Sequence, residues 1–421
     1  MSSFLKKMQG YMLYLLPVFL VLAIIDYRFH SYFWPRFNVL GFIGVGNFFD
    51  FVSIFTVFLI LFLSVSFLNR FKPNKFLLFA LGAVLIGGLV SVFANDLYEP
   101  ILRLPGLYLI QVYFLPILLC IVLVNKFEVE DSKLKFEYIL VCCFAVLALF
   151  TVIQYFLNIM PGSSQDFMGR AVWPYIDPFS EMKPESANWL SFIYAPLALL
   201  GLMRVKKGKI WMMLPTLVLL VALLLSESYG GILTLLMLSF VYLFFNVSKK
   251  SRLGLIALGL LSVIVLVLTQ YSTPKFQALI GNYHMPNSLE RREQIYQFNW
   301  QSLGDDFLTG VGPGNYQSNF RENQSNYLSE TIPELELPPH PHNLIFNFWS
   351  DLGLFGLILA IGIYLLVAAN LIKGNWSFLL IAYPLVHGLI DTPYILEEVT
   401  MMFWILLALS IAGAKKRVLA K

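Results

Sequence analysis

Twelve apolar stretches punctuate this chain, and they leave it few folds to choose from. They run near 11–25, 51–68, 76–94, 106–124, 138–157, 189–203, 210–227, 230–247, 253–270, 344–372, 376–390 and 399–413. A helix needs about 20 mostly apolar residues to cross a bilayer, within a range of roughly 17–25. Each stretch reads as a candidate membrane helix, with those near 11–25, 189–203, 376–390 and 399–413 short for a full crossing. Only 13% of the 421 residues are charged and mean hydropathy is +0.73, whereas a soluble chain this long needs far more charge to cover its surface. The expected fold class is an all-α integral membrane protein with about 12 transmembrane helices. The pair 210–227 and 230–247, parted by Ser228-Tyr229-Gly230, also reads as one bent or re-entrant hairpin. Cys120, Cys142 and Cys143 all fall in apolar stretches without a spaced framework, which suggests neither a disulfide scaffold nor a zinc site.

Basic residues assign the sides. Lys6-Lys7, Arg70/Lys72/Lys75, Lys126/Lys133/Lys135, Arg204/Lys206/Lys207/Lys209, Lys249/Lys250/Arg252, Lys373 and Lys415/Lys416/Arg417/Lys421 hold 20 of the 29 Lys and Arg. They mark alternate loops and both ends, so the positive-inside rule predicts cytoplasmic N and C termini and an even span count. Lys6-Lys7 before Tyr11–Ile25 resembles a signal peptide, but no small-residue cleavage site follows, and the stretch reads as an uncleaved first span. The expected organisation is spans 1–9 over 1–270, with an outward loop at 158–188. An extracytoplasmic segment at 271–342 follows, and spans 10–12 occupy 343–421. In a bacterium this is a multi-pass protein of the inner membrane whose outward loops face the periplasm or the exterior.

Polar chemistry gathers on that outward side. The segment 271–342 is long, rich in Asn and Gln, and carries Phe276, Tyr296, Phe298, Trp300, Phe307 and Tyr316, which argues against disorder. Asn287-Ser288-Leu289-Glu290 reads as a capped helix start. Leu289, Tyr296, Trp300 and Leu303 then recur on one face, with Arg291 and Arg292 beside it. Such a helix lies on the membrane surface and presents one or both guanidiniums; the alternative is arginines touching lipid headgroups. Arg170 sits in the other outward loop. Gly310-Val311-Gly312-Pro313-Gly314-Asn315 is a tight turn without the ending of a nucleotide loop. It reads as a packing turn whose N–H groups could also cradle an anion.

Pro338-Pro339-His340-Pro341-His342-Asn343 leads into the apolar stretch 344–372. His342 opens a membrane helix, where unpaired N–H groups and the helix dipole favour an anion. The same field disfavours imidazolium, leaving a neutral histidine able to accept a proton. Capping at the lipid interface is the alternative, and His340 suits that role more easily. Gly353 and Gly356 lie about 16 Å along the helix at 1.5 Å per residue and offer a small-residue patch for helix packing. Glu227 ends a span, either as a functional group or as a snorkelling side chain. Asp391, beyond His387-Gly388, could orient a histidine, bind an acceptor sugar, or belong to a solvated loop. Arginines for phosphate, a neutral histidine for a hydroxyl proton and the absence of a metal-ligand cluster in the sequence point to one reaction. It is glycosyl transfer from a polyprenyl-diphosphate-linked saccharide to a hydroxyl acceptor, needing no cofactor and no nucleic acid.

At these residues the chain resembles the superfamily of O-antigen ligases and O-antigen polymerases, bacterial envelope glycosyltransferases. His342-Asn343, nine residues, then Gly353-x-x-Gly356 is similar to that family's His-Asn…Gly-x-x-Gly motif. Ser288…Arg292…Tyr296 and Gly310–Tyr316 look like the stretch that precedes it. The resemblance implies metal-independent transfer from an undecaprenyl-diphosphate-linked glycan to a glycan or glycolipid. It makes His342 the base for the acceptor hydroxyl and Arg292 a ligand of the diphosphate; His340, Asn343, Asp391, Tyr229 and Glu227 stand beside them as candidate acceptor-binding or supporting residues. One departure stands out. Where the family often carries an arginine between two middle spans, this chain reads Ser226-Glu227-Ser228-Tyr229-Gly230-Gly231. Either Arg170 or Arg291 serves in place of Tyr229, or the donor differs. Ligase and repeat-unit polymerase share this donor chemistry, and a flippase for lipid-linked sugar is the reading from another class. A flippase calls for charged or broken helices near mid-membrane, and the spans here are apolar at mid-depth.

Overall fold

The computed structural model describes residues 3–29, 51–67, 74–95, 106, 108–127, 130–157, 188–273, 276–277, 280, 288–333, 337–394 and 397–419. Helices account for nearly all of the regular structure, and no strand occurs among the described residues. In chain order they are α1 (Ser3–Phe29), α2 (Phe51–Phe67), α3 (Lys75–Ala94), α4 (Leu109–Lys126) and α5 (Glu130–Leu157). There follow α6 (Asn188–Lys206), α7 (Met213–Leu225), α8 (Tyr229–Asn246), α9 (Lys249–Gln270) and α10 (Ser288–Asp305). The last four are α11 (Tyr316–Tyr327), α12 (Leu344–Ile372), α13 (Leu379–His387) and α14 (Glu397–Leu419). Among the described residues, seven helices are long and apolar enough to cross a membrane: α3, α4, α5 from Ser132 onward, α6, α8, α9 and α12. Shorter apolar helices cover 210–225, 376–387 and 398–414. The stretch 210–247 forms two helices with a turn at Ser226-Glu227-Ser228, where Glu227 takes φ +47°.

The chain divides into two compact units. One comprises Met1–Asn74, Leu118–Ser228 and Trp404–Lys421; the other comprises Lys75–Ile117 and Tyr229–Phe403. In the first, α6 and α7 approach closely because Gly201 carries no side chain: a Cβ there would lie 2.0 Å from Thr216 Oγ1. A buried carboxylate, Glu137, joins α5 to α6 through Arg204 and has Lys133 3.8 Å away, one turn earlier. Lys133 also donates to the Leu409 carbonyl of α14 at 2.9 Å. These two cations, which the sequence places with the loop charges, are therefore mostly buried and matched.

The second unit holds α10 and α11 together with α12. Ile295 and Phe298 of α10 pack with Tyr316 and Phe320 of α11 and with Leu328, Ile332 and Leu337. This corrects the expected apolar face. Trp300 is 69% exposed, while Ile295 and Phe298 are buried because α11 covers that side of the helix; Leu303, a member of the expected face, is buried against Val311 and Trp349. Of the predicted helix start, Asn287 lies outside the described residues, and the helix begins at Ser288.

α12 is not a straight rod. Gly353 takes φ +59° and ψ −144°, a non-helical conformation that an L side chain rarely tolerates, and it breaks the helix there. In an unbroken helix the Leu354 N–H would bond the Ser350 carbonyl four residues back. Here Leu354 N–H donates instead to Leu308 O at 3.1 Å, and Ser350 O accepts from Val311 N (2.9 Å) and Gly312 N (3.2 Å). The glycine-rich turn is thus spliced into the helix ladder. Fit is tight enough to demand glycine on both sides: a Cβ at Gly310 would meet Ser350 O at 2.4 Å, and one at Gly353 would meet Leu308 O at 2.1 Å. The glycine pair therefore does something other than the expected helix-packing patch, since a turn occupies the break. Close helix approach falls to Gly87 of α3, whose Cβ would lie 2.8 Å from Leu352 O.

Candidate functional site

The site is built where α10, the loop before α12 and the loop after α13 converge within the second unit. His342 Nδ1 lies 2.8 Å from Asp391 Oδ1, and Arg292 Nη2 lies 3.3 Å from Asp391 Oδ2. One carboxylate thus holds an imidazole on one oxygen and a guanidinium on the other. Asp391 is buried, Arg292 nearly so, and the His342 side chain is 22% exposed. Burial pushes the Asp391 carboxyl upward, but the charge and hydrogen bond of His342, then the charge of Arg292, outweigh it and hold the group well below the usual carboxylate range. An ionised Asp391 accepts the Nδ1 proton of His342, which leaves Nε2 as the basic nitrogen.

Local chain geometry explains why His342 points this way. Asn343, not His342, is the cap of α12: its side chain accepts from the N–H groups of Ile345 (2.9 Å) and Phe346 (3.3 Å). Leu344 N–H goes to Gly388 O at 2.6 Å, and Asn343 Nδ2 donates to Leu389 O at 3.0 Å. The expected anion cradle at this helix start is therefore corrected, since its first three N–H groups already have protein partners. The same bonds dock the α12 entry on the Gly388–Asp391 loop. His342, one residue before the cap, adopts φ +53°, a left-handed conformation that costs about 1–3 kcal/mol outside glycine.

Side chains hold that conformation. His342 N–H donates to His340 Nδ1 at 3.2 Å, and Tyr296 Oη lies 3.0 Å from His342 O. The Tyr296 hydroxyl is also 2.9 Å from Leu389 O and 3.1 Å from Ile390 O. Asn299 Nδ2 donates to Pro341 O at 3.0 Å, and Tyr316 Oη fixes Asn299 by donating to its Oδ1 at 2.7 Å. Arg292, Tyr296 and Asn299 follow at spacings of four and three, so they share one stripe of α10. His340 is buried rather than capping a lipid interface, and its ring centroid lies 4.2 Å from that of His342. Burial, then the neighbouring His342 charge, drives its pKa down to about 3. His340 is therefore neutral, and because Nδ1 accepts, its proton sits on Nε2.

His340, His342 and Asp391 each offer a ligand atom, all within 4.8 Å of one another, a spacing a metal ion could use. The Arg292 guanidinium on the same carboxylate opposes a second cation there, and His340 Nδ1 is already engaged. Arg291 reaches Gln294 Oε1 at 3.2 Å on the same helix. Tyr229 Oη lies 2.9 Å from Thr273 Oγ1, and its ring meets Phe276 edge-on. Glu227 belongs to the other compact unit. Arg170 lies outside the described residues.

One element escaped the sequence reading. Asp351, buried in α12 beside the break, accepts from Tyr113 Oη (2.6 Å), Tyr108 Oη (3.1 Å), Asn347 Nδ2 (3.3 Å) and the Gly314 N–H (3.3 Å). The anion that the glycine-rich turn helps to hold is thus a side chain of this protein. Residues 109–114 form a π turn, which stacks residues five apart and lets Tyr108 and Tyr113 meet one carboxylate. An ionisable residue inside an apolar span was the available signal.

Residues 214–361 match the family model for O-antigen ligase. The match spans α10, the glycine-rich turn, His340, His342 and the break at Gly353, and stops before Asp391. No curated protein matches the chain.

Proposed function

We propose that the chain, whose residues 214–361 match the O-antigen ligase family model, is a membrane glycosyltransferase that moves a saccharide from a polyprenyl-diphosphate carrier to a hydroxyl acceptor. The observation that carries this reading is the His342–Asp391–Arg292 constellation, a base with its orienting carboxylate beside a cation. In the proposed step the acceptor oxygen attacks the anomeric carbon and its proton passes to His342 Nε2. The bond from that carbon to the diphosphate oxygen breaks, and the polyprenyl diphosphate leaves with the electron pair. Arg292, with Arg291 and Arg170 as further candidates, stabilises the charge that develops on the leaving group. Asp391 stays ionised throughout and stabilises the imidazolium that forms.

About twelve spans, both termini in the cytoplasm and a site facing the periplasm complete the reading. The alternation of basic loops supports it, as does the concentration of polar side chains in the segment around α10 and α11. The donor's lipid tail would lie in the bilayer beside the apolar helices. The acceptor is a glycolipid or a growing glycan.

The test uses protein in nanodiscs with EDTA present, a polyprenyl-diphosphate oligosaccharide and candidate acceptors. Transfer by the wild type, lost in His342→Ala and Arg292→Ala, is the expected result. The accepted substrate assigns ligase or polymerase. Wild-type rates in both variants, or labelled donor crossing liposome membranes without transfer, would overturn the proposal.

A further inference from the structure

We propose that Tyr296 and His340 are positioning residues, a two-sided clamp on the His342 backbone that sets the imidazole against Asp391. The inference rests on the glycosyl-transfer reading but concerns residues that touch neither donor nor acceptor in it. The argument begins with the left-handed φ of +53° at His342. A side-chain-bearing residue leaves that conformation unless its surroundings over-determine it. Both backbone polar groups of His342 are taken by side chains: the N–H by His340 Nδ1 at 3.2 Å and the C=O by Tyr296 Oη at 3.0 Å. Neither bond is part of a backbone helix ladder that would form regardless.

Tyr296 also ties the two halves of the dyad together. Its single hydroxyl proton is shared by three carbonyls, those of His342, Leu389 and Ile390, the last immediately preceding Asp391. One phenol therefore fixes the loop carrying the base relative to the loop carrying its carboxylate. Asn299, one turn further along the same stripe, holds Pro341 O and keeps the intervening peptide in place. If the clamp opens, the substrate still binds but the base is displaced. A displacement of about 1 Å at reacting atoms costs on the order of a hundredfold in rate.

The experiment compares His340→Asn, His340→Gln, Tyr296→Phe and His342→Ala in the nanodisc transfer assay. Asparagine puts an acceptor oxygen where Nδ1 stands, whereas glutamine moves it one bond outward. The expected pattern is kcat within about threefold of wild type for His340→Asn. For His340→Gln and Tyr296→Phe, kcat falls about ten- to a hundredfold while the donor KM changes less than about twofold. Equal kcat for the two His340 variants, or a change in KM alone for Tyr296→Phe, would overturn the clamp. Loss of transfer in His342→Ala with wild-type kcat in His340→Gln and Tyr296→Phe would remove the clamp and spare the base. Retained transfer in His342→Ala would remove the base and the clamp's purpose together. Should Tyr296→Phe fail to accumulate in the membrane, the Asn and Gln pair at position 340 decides alone.

Discussion

Asp391 and His342 stand 49 residues apart in the chain, yet Oδ1 of the one lies 2.8 Å from Nδ1 of the other. Because the carboxylate fixes which nitrogen carries the proton, Asp391→Asn should preserve the shape of the site and present the wrong tautomer. We expect transfer to fall by about 10²–10⁴. Adding His342→Ala should cost little more, since residues acting as a unit are not additive. Steady-state rates of the two single variants and the double variant check this, and a multiplicative loss would sever the pair.

The break in α12 leaves no room for side chains. Gly353→Ala would set a Cβ 2.1 Å from Leu308 O at φ +59°, and Gly356→Ala one 1.9 Å from Phe348 O. Overpacking costs about 1–3 kcal/mol, and the left-handed backbone adds a comparable amount at position 353. Gly362→Ala in the same helix meets only Phe76 and Phe79 ring atoms at 3.5 Å or more and should stay within about 0.5 kcal/mol of the wild type. Denaturation in detergent micelles ranks the three, and equal stabilities would mean that the turn does not occupy the break.

Asp351 answers four donors at once. Replacing it by alanine leaves the Tyr108 and Tyr113 hydroxyls and the Gly314 N–H without their acceptor. Each such orphan costs about 1–3 kcal/mol. Tyr113→Phe removes only one donor and should cost about 1.5–3 kcal/mol as a bond to a charged group. An Asp351→Ala protein as stable as the wild type would show that the cluster contributes nothing to the fold.

Acid should loosen this site well before it denatures most carboxylate pairs. Burial holds His340 neutral down to about pH 3, whereas the unfolded chain protonates it near its ordinary value. Between those limits the unfolded state binds the extra proton, so stability falls with falling pH, by about 1.4 kcal/mol for each pH unit. Asp391, depressed instead, gives stability that is present above its unfolded pKa and lost at more acid pH still. Melting temperatures from pH 7.5 to pH 4.5 should decline in the wild type and flatten in His340→Asn. Parallel curves would contradict the assignment.

Legibility in the sequence followed the range of the interactions involved. Apolar runs of span length are local, and helices stand at apolar stretches because bilayer thickness sets their length and their backbone groups must bond internally. His342, Arg292 and Asp391 were each identifiable, since each is a polar group beside an apolar run. Their mutual geometry was not, because it depends on α10 and the Gly388–Asp391 loop meeting through side-chain bonds to backbone carbonyls. No periodicity encodes such bonds. Tyr296 looked like one member of an apolar stripe, yet its hydroxyl reaches three carbonyls. The Gly353-x-x-Gly356 spacing suggested helix packing, and only the positive φ at Gly353 reveals a break. Asp351 was readable in principle as a charge within a span.

The splice at Gly353 also makes the shape of α12 depend on a segment outside it. Left alone in a bilayer, α12 would close its own Ser350–Leu354 bond and run straight, carrying Asn343 and the histidine off their bearings. The turn that prevents this lies roughly forty residues earlier in the chain. Because the turn itself bonds Ser350 O of the span, the two take their final form together. Grafting a foreign segment between α9 and α12 would deliver a straight helix and a misplaced His342 unless the graft carried its own copy of Leu308–Gly312.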